Sequence, residues 1–191
     1  MDKKPAICVF CGSSFGNNPH FADAARAVGA GIAAQSWSLV FGGGGPGLMG
    51  VVAKAAQAGG APVQGIIPMF LQSLEPPVSP EEKLIVTPHI QERKAQMLQL
   101  SDAFVVLPGG LGTFDEFFEV ATEAQLGVHH KPIIVVNVDG YYNALDTMLR
   151  ATVESGFAKS MIFDLYHLAD GPDAALQILK SEMDQAFAPS R

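Results

Sequence analysis

The chain has 191 residues, 48% hydrophobic and 16% charged, and carries a net charge of -7 with only 12 lysines and arginines. Residues 1–191 are thus expected to form a single domain, able to bury roughly 70% of the surface its unfolded chain would expose. So few cations argue against a nucleic-acid surface, which needs clustered charge to displace phosphate counterions, and no run reaches the ~18 unbroken apolar residues of a membrane span.

The first ten residues, MDKKPAICVF, enter a strand-like run with no signal-peptide pattern, so a cytoplasmic protein is expected. In chain order the pattern gives a strand at 6–11, a helix near 20–35, a strand at 38–42, a helix near 47–59 and a strand at 63–68. A proline-rich irregular stretch, PMFLQSLEPPVSPEE, covers 68–82, a length that in a compact domain usually marks a functional rim or lid. A strand at 83–87, a helix near 91–100, a strand at 103–108, a helix near 113–126, a strand at 132–138 and a helix near 141–155 follow. A weaker strand at 165–169 and a helix near 172–187 end the pattern. Strands this apolar, without polar alternation, belong in a sheet covered on both faces. Their alternation with helices predicts a doubly wound, Rossmann-like α/β domain with a mainly parallel sheet.

Cys8 and Cys11 form a C-x-x-C, but a strand points them to opposite faces and no second pair completes a zinc site. Both read as structural thiols. The histidines show no ligand spacing, so no metal is expected.

In such a sheet, ligands sit beyond the carboxyl ends of the strands. Three strand ends carry glycine-rich turns: FCGSSFG with Gly12 and Ser13, FGGGGPGLMG with Gly43 and Gly44, and LPGGLGT. Together they point to a nucleotide-sized ligand, with these loops near phosphate and ribose. The second turn lacks the Lys-Ser/Thr ending of an ATPase phosphate loop and does not fit G-x-G-x-x-G, which disfavours a dinucleotide. In VVLPGGLGTFDEFFEV the turn feeds a helix start, where unpaired amides suit an anion. Glu116 follows one turn later. Its structural reading is a capping box with Thr113 as N-cap; its functional reading is a carboxylate beside a bound phosphate. Arg93-Lys94 is the one adjacent cation pair away from the N-terminus; it reads either as solvated charge on a surface helix or as a pair expected to face the glycine turn. Arg93 and Met97, at i and i+4, share a helix face.

In order and spacing, FGGGGPGLMG, ERKAQM, SDAFVVLPGGLGTFDE, AQLGVHHKP and NVDGYY resemble the cytokinin-activating "Lonely guy" phosphoribohydrolases, over roughly residues 6–155. That family, once labelled lysine decarboxylases, releases free base and ribose 5-phosphate from nucleoside 5′-monophosphates. No context for a lysine Schiff base to pyridoxal phosphate is present, and no cofactor is expected. The resemblance implies that Arg93 and Glu116 are catalytic. It further implies that Glu75, Arg93, Lys94, Gly110, Leu111, Gly112, Thr113, Phe114, Asp115, Glu116 and Thr122 contact substrate, and that the protein is a homodimer. Leu111 and Phe114-Asp115 depart from commoner family residues.

Cleavage of a ribosyl–base bond builds positive charge on the sugar, which a carboxylate stabilises while activating water. Arg93 could hold phosphate, ribose or departing base, with ribose or base favoured. Met49, Leu71, Met97 and Phe114 could line an apolar base pocket. A carrier of a nucleotide-like cofactor such as molybdopterin would use the same fold without hydrolysis. A transferase would need a nucleophile to trap the sugar.

Overall fold

The computed structural model describes residues 4–74 and 83–187. Seven strands form one sheet: β1 (Ala6–Phe10), β2 (Ser38–Phe41), β3 (Val63–Pro68), β4 (Lys83–Thr87), β5 (Ala103–Val106), β6 (Ile133–Val136) and β7 (His167–Ala169). The order is β4-β3-β2-β1-β5-β6-β7, and every pairing is parallel. Six helices intervene: α1 (Pro19–Ala34), α2 (Gly47–Ala58), α3 (Ile90–Leu100), α4 (Leu111–Gln125), α5 (Asn143–Glu154) and α6 (Pro172–Ala186). A short 3-10 turn covers Met69–Leu71 within the irregular stretch. Glu75 lies outside the described residues.

The strands alternate their side chains between two cores, as the pleat requires. Ile7, Val9, Leu39, Phe41 and Val105 pack against α1, α2 and α6. Cys8, Phe10, Val40, Phe104 and Val106 pack against Met97 of α3, Phe117 and Val120 of α4, and Leu145 of α5. Cys8 and Cys11 therefore fall on opposite faces as expected, both as free buried thiols. Burial raises both thiol pKa values, and the charge of Glu116 raises them further, so each stays protonated.

The chain starts in the middle of the sheet. From β1 it winds outward through β2, β3 and β4, then α3 carries it back across to β5 on the other side of β1. This reversal leaves the crevice at the carboxyl ends of β1 and β5 uncovered by a crossover, the general ligand position of open α/β sheets. Two of the three glycine turns, after β1 and after β5, meet there; the third leads from β2 into α2 and is tied in where Leu48 N–H donates to Gly12 O.

Candidate active site

A cavity of about 280 Å³ opens at the β1/β5 reversal. Cys11, Gly12 and Ser13 come to it from the end of β1, Met49 from α2, Leu71 from the 3-10 turn, and Ile90 and Arg93 from α3. Gly110, Leu111, Gly112, Thr113 and Glu116 complete it from the start of α4. Arg93, Glu116, the glycine turn and the β1 loop, far apart in sequence, are thus brought to one place. A larger cavity of about 770 Å³ lies elsewhere, between α1, the loop after β6 and the start of α6. It gathers Asp23, Asp139, Asp170 and Asp173, which suits no anion.

Arg93 is only 9% exposed and Glu116 7%. Burying a guanidinium is costly unless its N–H groups find acceptors. Here Nε donates to Ile66 O at 3.1 Å and Nη2 to Gly42 O at 3.4 Å, while Nη2 stands 3.6 Å from Glu116 Oε1. One carbonyl within β3, one just after β2 and one carboxylate of α4 therefore fix the fork. Gly42 makes room for it: a β-carbon at that position would stand 2.1 Å from Nη2.

The helix start differs from the capping-box reading. α4 begins at Leu111 with Gly110 as N-cap, and no side chain caps it. Thr113 is already inside the first turn and buried, so it cannot serve as N-cap to Glu116. Its Oγ1 instead packs against Gly109, where a β-carbon would approach to 2.1 Å. The first helical bond runs from Phe114 N to Gly110 O, so the amides of Leu111, Gly112 and Thr113 have no intrahelical acceptor. At Gly110 and Gly112 a β-carbon would meet no protein atom within 4 Å. Their backbone faces open space, as an anion cradle requires.

Lys94 does not accompany Arg93. One residue along a helix turns 100°, and Lys94 Nζ pairs instead with Asp115 Oδ2 at 2.9 Å and with Glu119 Oε2. Burial opposes its charge, but the Glu119 and Asp115 carboxylates outweigh this and raise the ammonium pKa. The expectation that both cations face the glycine turn is therefore corrected: Arg93 does, and Lys94 staples α3 to α4. Phe114 packs edge-on to the buried Tyr142, and Met97 is core. Of the four apolar candidates, only Met49 and Leu71 line the cavity. Thr122 is exposed on α4 beside Phe118 and Phe157. Gly43 and Gly44 are buried and do not line this cavity.

Two residues with no role assigned from sequence act on the glycine turn. Tyr142 OH donates to Leu107 O at 2.7 Å, and Tyr141 OH donates to Gly109 O. Their only sequence signal is the doubled tyrosine of NVDGYY; the partners lie more than 30 residues away. Among the described residues, no group of three or more His, Cys, Asp or Glu could hold a metal ion, and no helix is long and apolar enough to cross a membrane.

Residues 49–179 match the family model described as "possible lysine decarboxylase". A rice (Oryza sativa subsp. japonica) protein named "probable cytokinin riboside 5′-monophosphate phosphoribohydrolase" is 49% identical over 78% of this chain and 71% of its own length. Two Arabidopsis thaliana cytokinin riboside 5′-monophosphate phosphoribohydrolases are 44% and 41% identical, over 81% and 91% of this chain and 71% and 82% of theirs. Among solved structures, the molybdenum cofactor binding protein of Rippkaea orientalis superposes with a TM-score of 0.73 at 24% identity, covering 96% of this chain and 99% of that one. The molybdenum cofactor carrier protein of Chlamydomonas reinhardtii gives 0.68 at 22% identity, over 96% and 99%. These two likenesses establish the shared fold.

The different partners of the adjacent cations predict different consequences of removing them. Inorganic phosphate should raise the melting temperature of the wild-type protein, as any ligand of the folded state does. Lys94→Met should keep that rise and lose about 1 kcal/mol of stability, the scale of a partly exposed ion pair. Arg93→Met removes the guanidinium beside the buried Glu116 carboxylate and should cost about 3–5 kcal/mol of stability, while the phosphate-induced rise, which rests on the α4 amides, persists. Thermal melts with and without phosphate check both.

Proposed function

This chain belongs to the family of cytokinin riboside 5′-monophosphate phosphoribohydrolases, and from that membership we propose that it hydrolyses the N-glycosidic bond of cytokinin riboside or adenosine 5′-monophosphates. The products are free base and ribose 5-phosphate, so the reaction releases active cytokinin. The observation that carries this reading is the buried Arg93–Glu116 pair, 3.6 Å apart, set beside the open amides of the α4 start.

The roles follow from where each group stands. The 5′-phosphate binds at the amides of residues 110–113 and beside Gly12 and Ser13, held by the helix N-terminus and its dipole. That anchor places the ribose over Glu116. As the C1′–N bond breaks, its electron pair leaves with the base and positive charge spreads over C1′ and the ring oxygen. The Glu116 carboxylate stabilises this charge and takes a proton from the water that attacks C1′, and a proton returned to the departing base nitrogen through solvent balances the reaction. Arg93, fixed by Ile66 O and Gly42 O beside the carboxylate, offers its remaining N–H donors to the ribose or the departing base. Met49, Leu71 and Ile90 offer the base an apolar wall. A cofactor carrier would have no use for a carboxylate fixed this way. The chemistry draws on no metal or organic cofactor, and the chain acts as a single cytoplasmic phosphoribohydrolase domain.

We also propose a homodimer. Phe118 on α4 is partly exposed, Leu126 just after its end is 73% exposed, and Phe157 nearby is 90% exposed. A second copy over this face would remove that apolar surface from water. Light scattering at micromolar concentration should give twice the chain mass; a monomer mass would contradict it.

Glu116→Gln keeps the side chain's shape and removes its charge. The variant should fold, retain nucleotide binding and turn over about 10²-fold or more slowly, the scale of one acid–base or electrostatic group. Release of free base from AMP, followed by chromatography, measures this, and a near wild-type rate would refute the role.

Adenosine, lacking the anchor, should be hydrolysed with an efficiency lower by orders of magnitude than AMP, because anchor energy drives positioning. Comparable efficiencies for the two would show that the glycine turn serves something else.

A further inference from the structure

The turn after β5 commits its carbonyls one by one. Leu107 O accepts from Tyr142 OH, Pro108 O from Gly12 N, Gly109 O from Tyr141 OH, and Gly110 O from Phe114 N. On the donor side, Leu107 N–H bonds Phe10 O and Pro108 has none. Among the described residues, no acceptor takes the amides of residues 109–113. Four carbonyls in a row are held by the protein, and five amides in a row are kept for something else.

We propose that Tyr141 is the positioning residue that sets the polarity of this cradle, acting through the Gly109–Gly110 peptide. That peptide is planar and trans, so Gly109 C=O and Gly110 N–H point in opposite directions. Holding the carbonyl on the Tyr141 side turns the Gly110 amide to the other side. Glycines at both 109 and 110 make this the most easily rotated peptide of the turn. Unheld, it can flip and set a carbonyl dipole against the anion. Tyr141 is itself held in place, because its ring packs edge-on against Phe21 of α1 and against Tyr142. It lines the cleft that shares Gly12, Ser13 and Gly110 with the active-site cavity. Tyr142 makes the same kind of bond one step earlier, but the residue after Leu107 is proline, so its hydroxyl aims no amide. The two tyrosines are neighbours with different jobs: Tyr142 supports the fold and Tyr141 orients the anion site.

This inference rests on the phosphate cradle of the proposed function, and the paired variants Tyr141→Phe and Tyr142→Phe test it. Each loses one hydroxyl and keeps its ring, so both are expected to fold. Tyr141→Phe should raise KM for AMP, and the dissociation constant of inorganic phosphate measured by calorimetry, by the same factor, about 3- to 10-fold for one hydrogen bond. Its kcat and melting temperature should stay close to wild type. Tyr142→Phe, buried and bonded in the core, should lower the melting temperature and leave both constants unchanged. Unaltered phosphate binding in Tyr141→Phe, or equal weakening in both variants, would overturn the proposal. If wild-type protein binds phosphate but releases no base from AMP, the hydrolase reading fails while calorimetry still decides the role of Tyr141. If Tyr141→Phe proves unstable, the hydroxyl is structural and the proposal also falls.

Discussion

The interaction on which the site depends is the buried ion pair of Arg93 and Glu116. Two charges taken out of water are tolerable only where each finds polar partners in fixed positions. Arg93 finds them on two neighbouring strands, at Ile66 O within β3 and Gly42 O just after β2, with its fork 3.6 Å from the carboxylate. Much of the surrounding structure follows from this requirement. Gly42 must lack a side chain for the guanidinium to lie across it. α3 must sit above β2 and β3 while α4 stands beside it, and Lys94 on the next face ties the two helices together through Asp115 and Glu119. Met49, Leu71 and Ile90 line the cavity beside this pair, and in the proposed mechanism that apolar wall strengthens the action of the carboxylate on a developing cation.

The glycine turn solves a complementary problem. An anion needs several donors converging from one side and no acceptor dipoles nearby. A backbone supplies both in equal number, so the acceptors have to be disposed of. Here tyrosine hydroxyls, the Gly12 amide and the first helical bond absorb them. The glycines serve the same end in different ways. Gly109 has no room for a β-carbon beside Thr113, whereas Gly110 and Gly112 have open space beside them.

The charge balance of the protein fits a small, guided ligand. A chain with net charge -7 does not draw anions by its overall field. At the site, positive character comes from the α4 N-terminus and the Arg93 guanidinium, while Asp23, Asp139, Asp170 and Asp173 line a separate cavity with His20. In the proposed function, specificity for a nucleotide over other phosphates comes from the ribose and base contacts assigned to Arg93, Glu116 and the apolar wall.

What the sequence determined by itself was everything governed by local period and local chemistry. All seven strands and six helices were legible because unbroken apolar runs and 3.6-residue spacing report burial directly. The strand–helix alternation then left few topologies open. The opposite facing of Cys8 and Cys11 and the shared face of Arg93 and Met97 follow from period alone. The resemblance of the glycine turn and the Arg-Lys pair to a known family singled out Arg93 and Glu116. Tertiary structure decided what depends on which distant groups become neighbours. It moved the α4 start from Thr113 to Leu111, because the glycine turn and not a side-chain cap sets the entry of the chain. It separated Lys94 from Arg93, because acids on α4 met one face of α3 and carbonyls of β2 and β3 met the other. It put Phe114 against Tyr142 in the core, and it gave the two tyrosines of NVDGYY their carbonyl partners across the β5/β6 edge. No periodicity encodes those pairings. They arise only when the order of strands in the sheet sets residues 42, 66, 93, 109, 116 and 141 around one crevice.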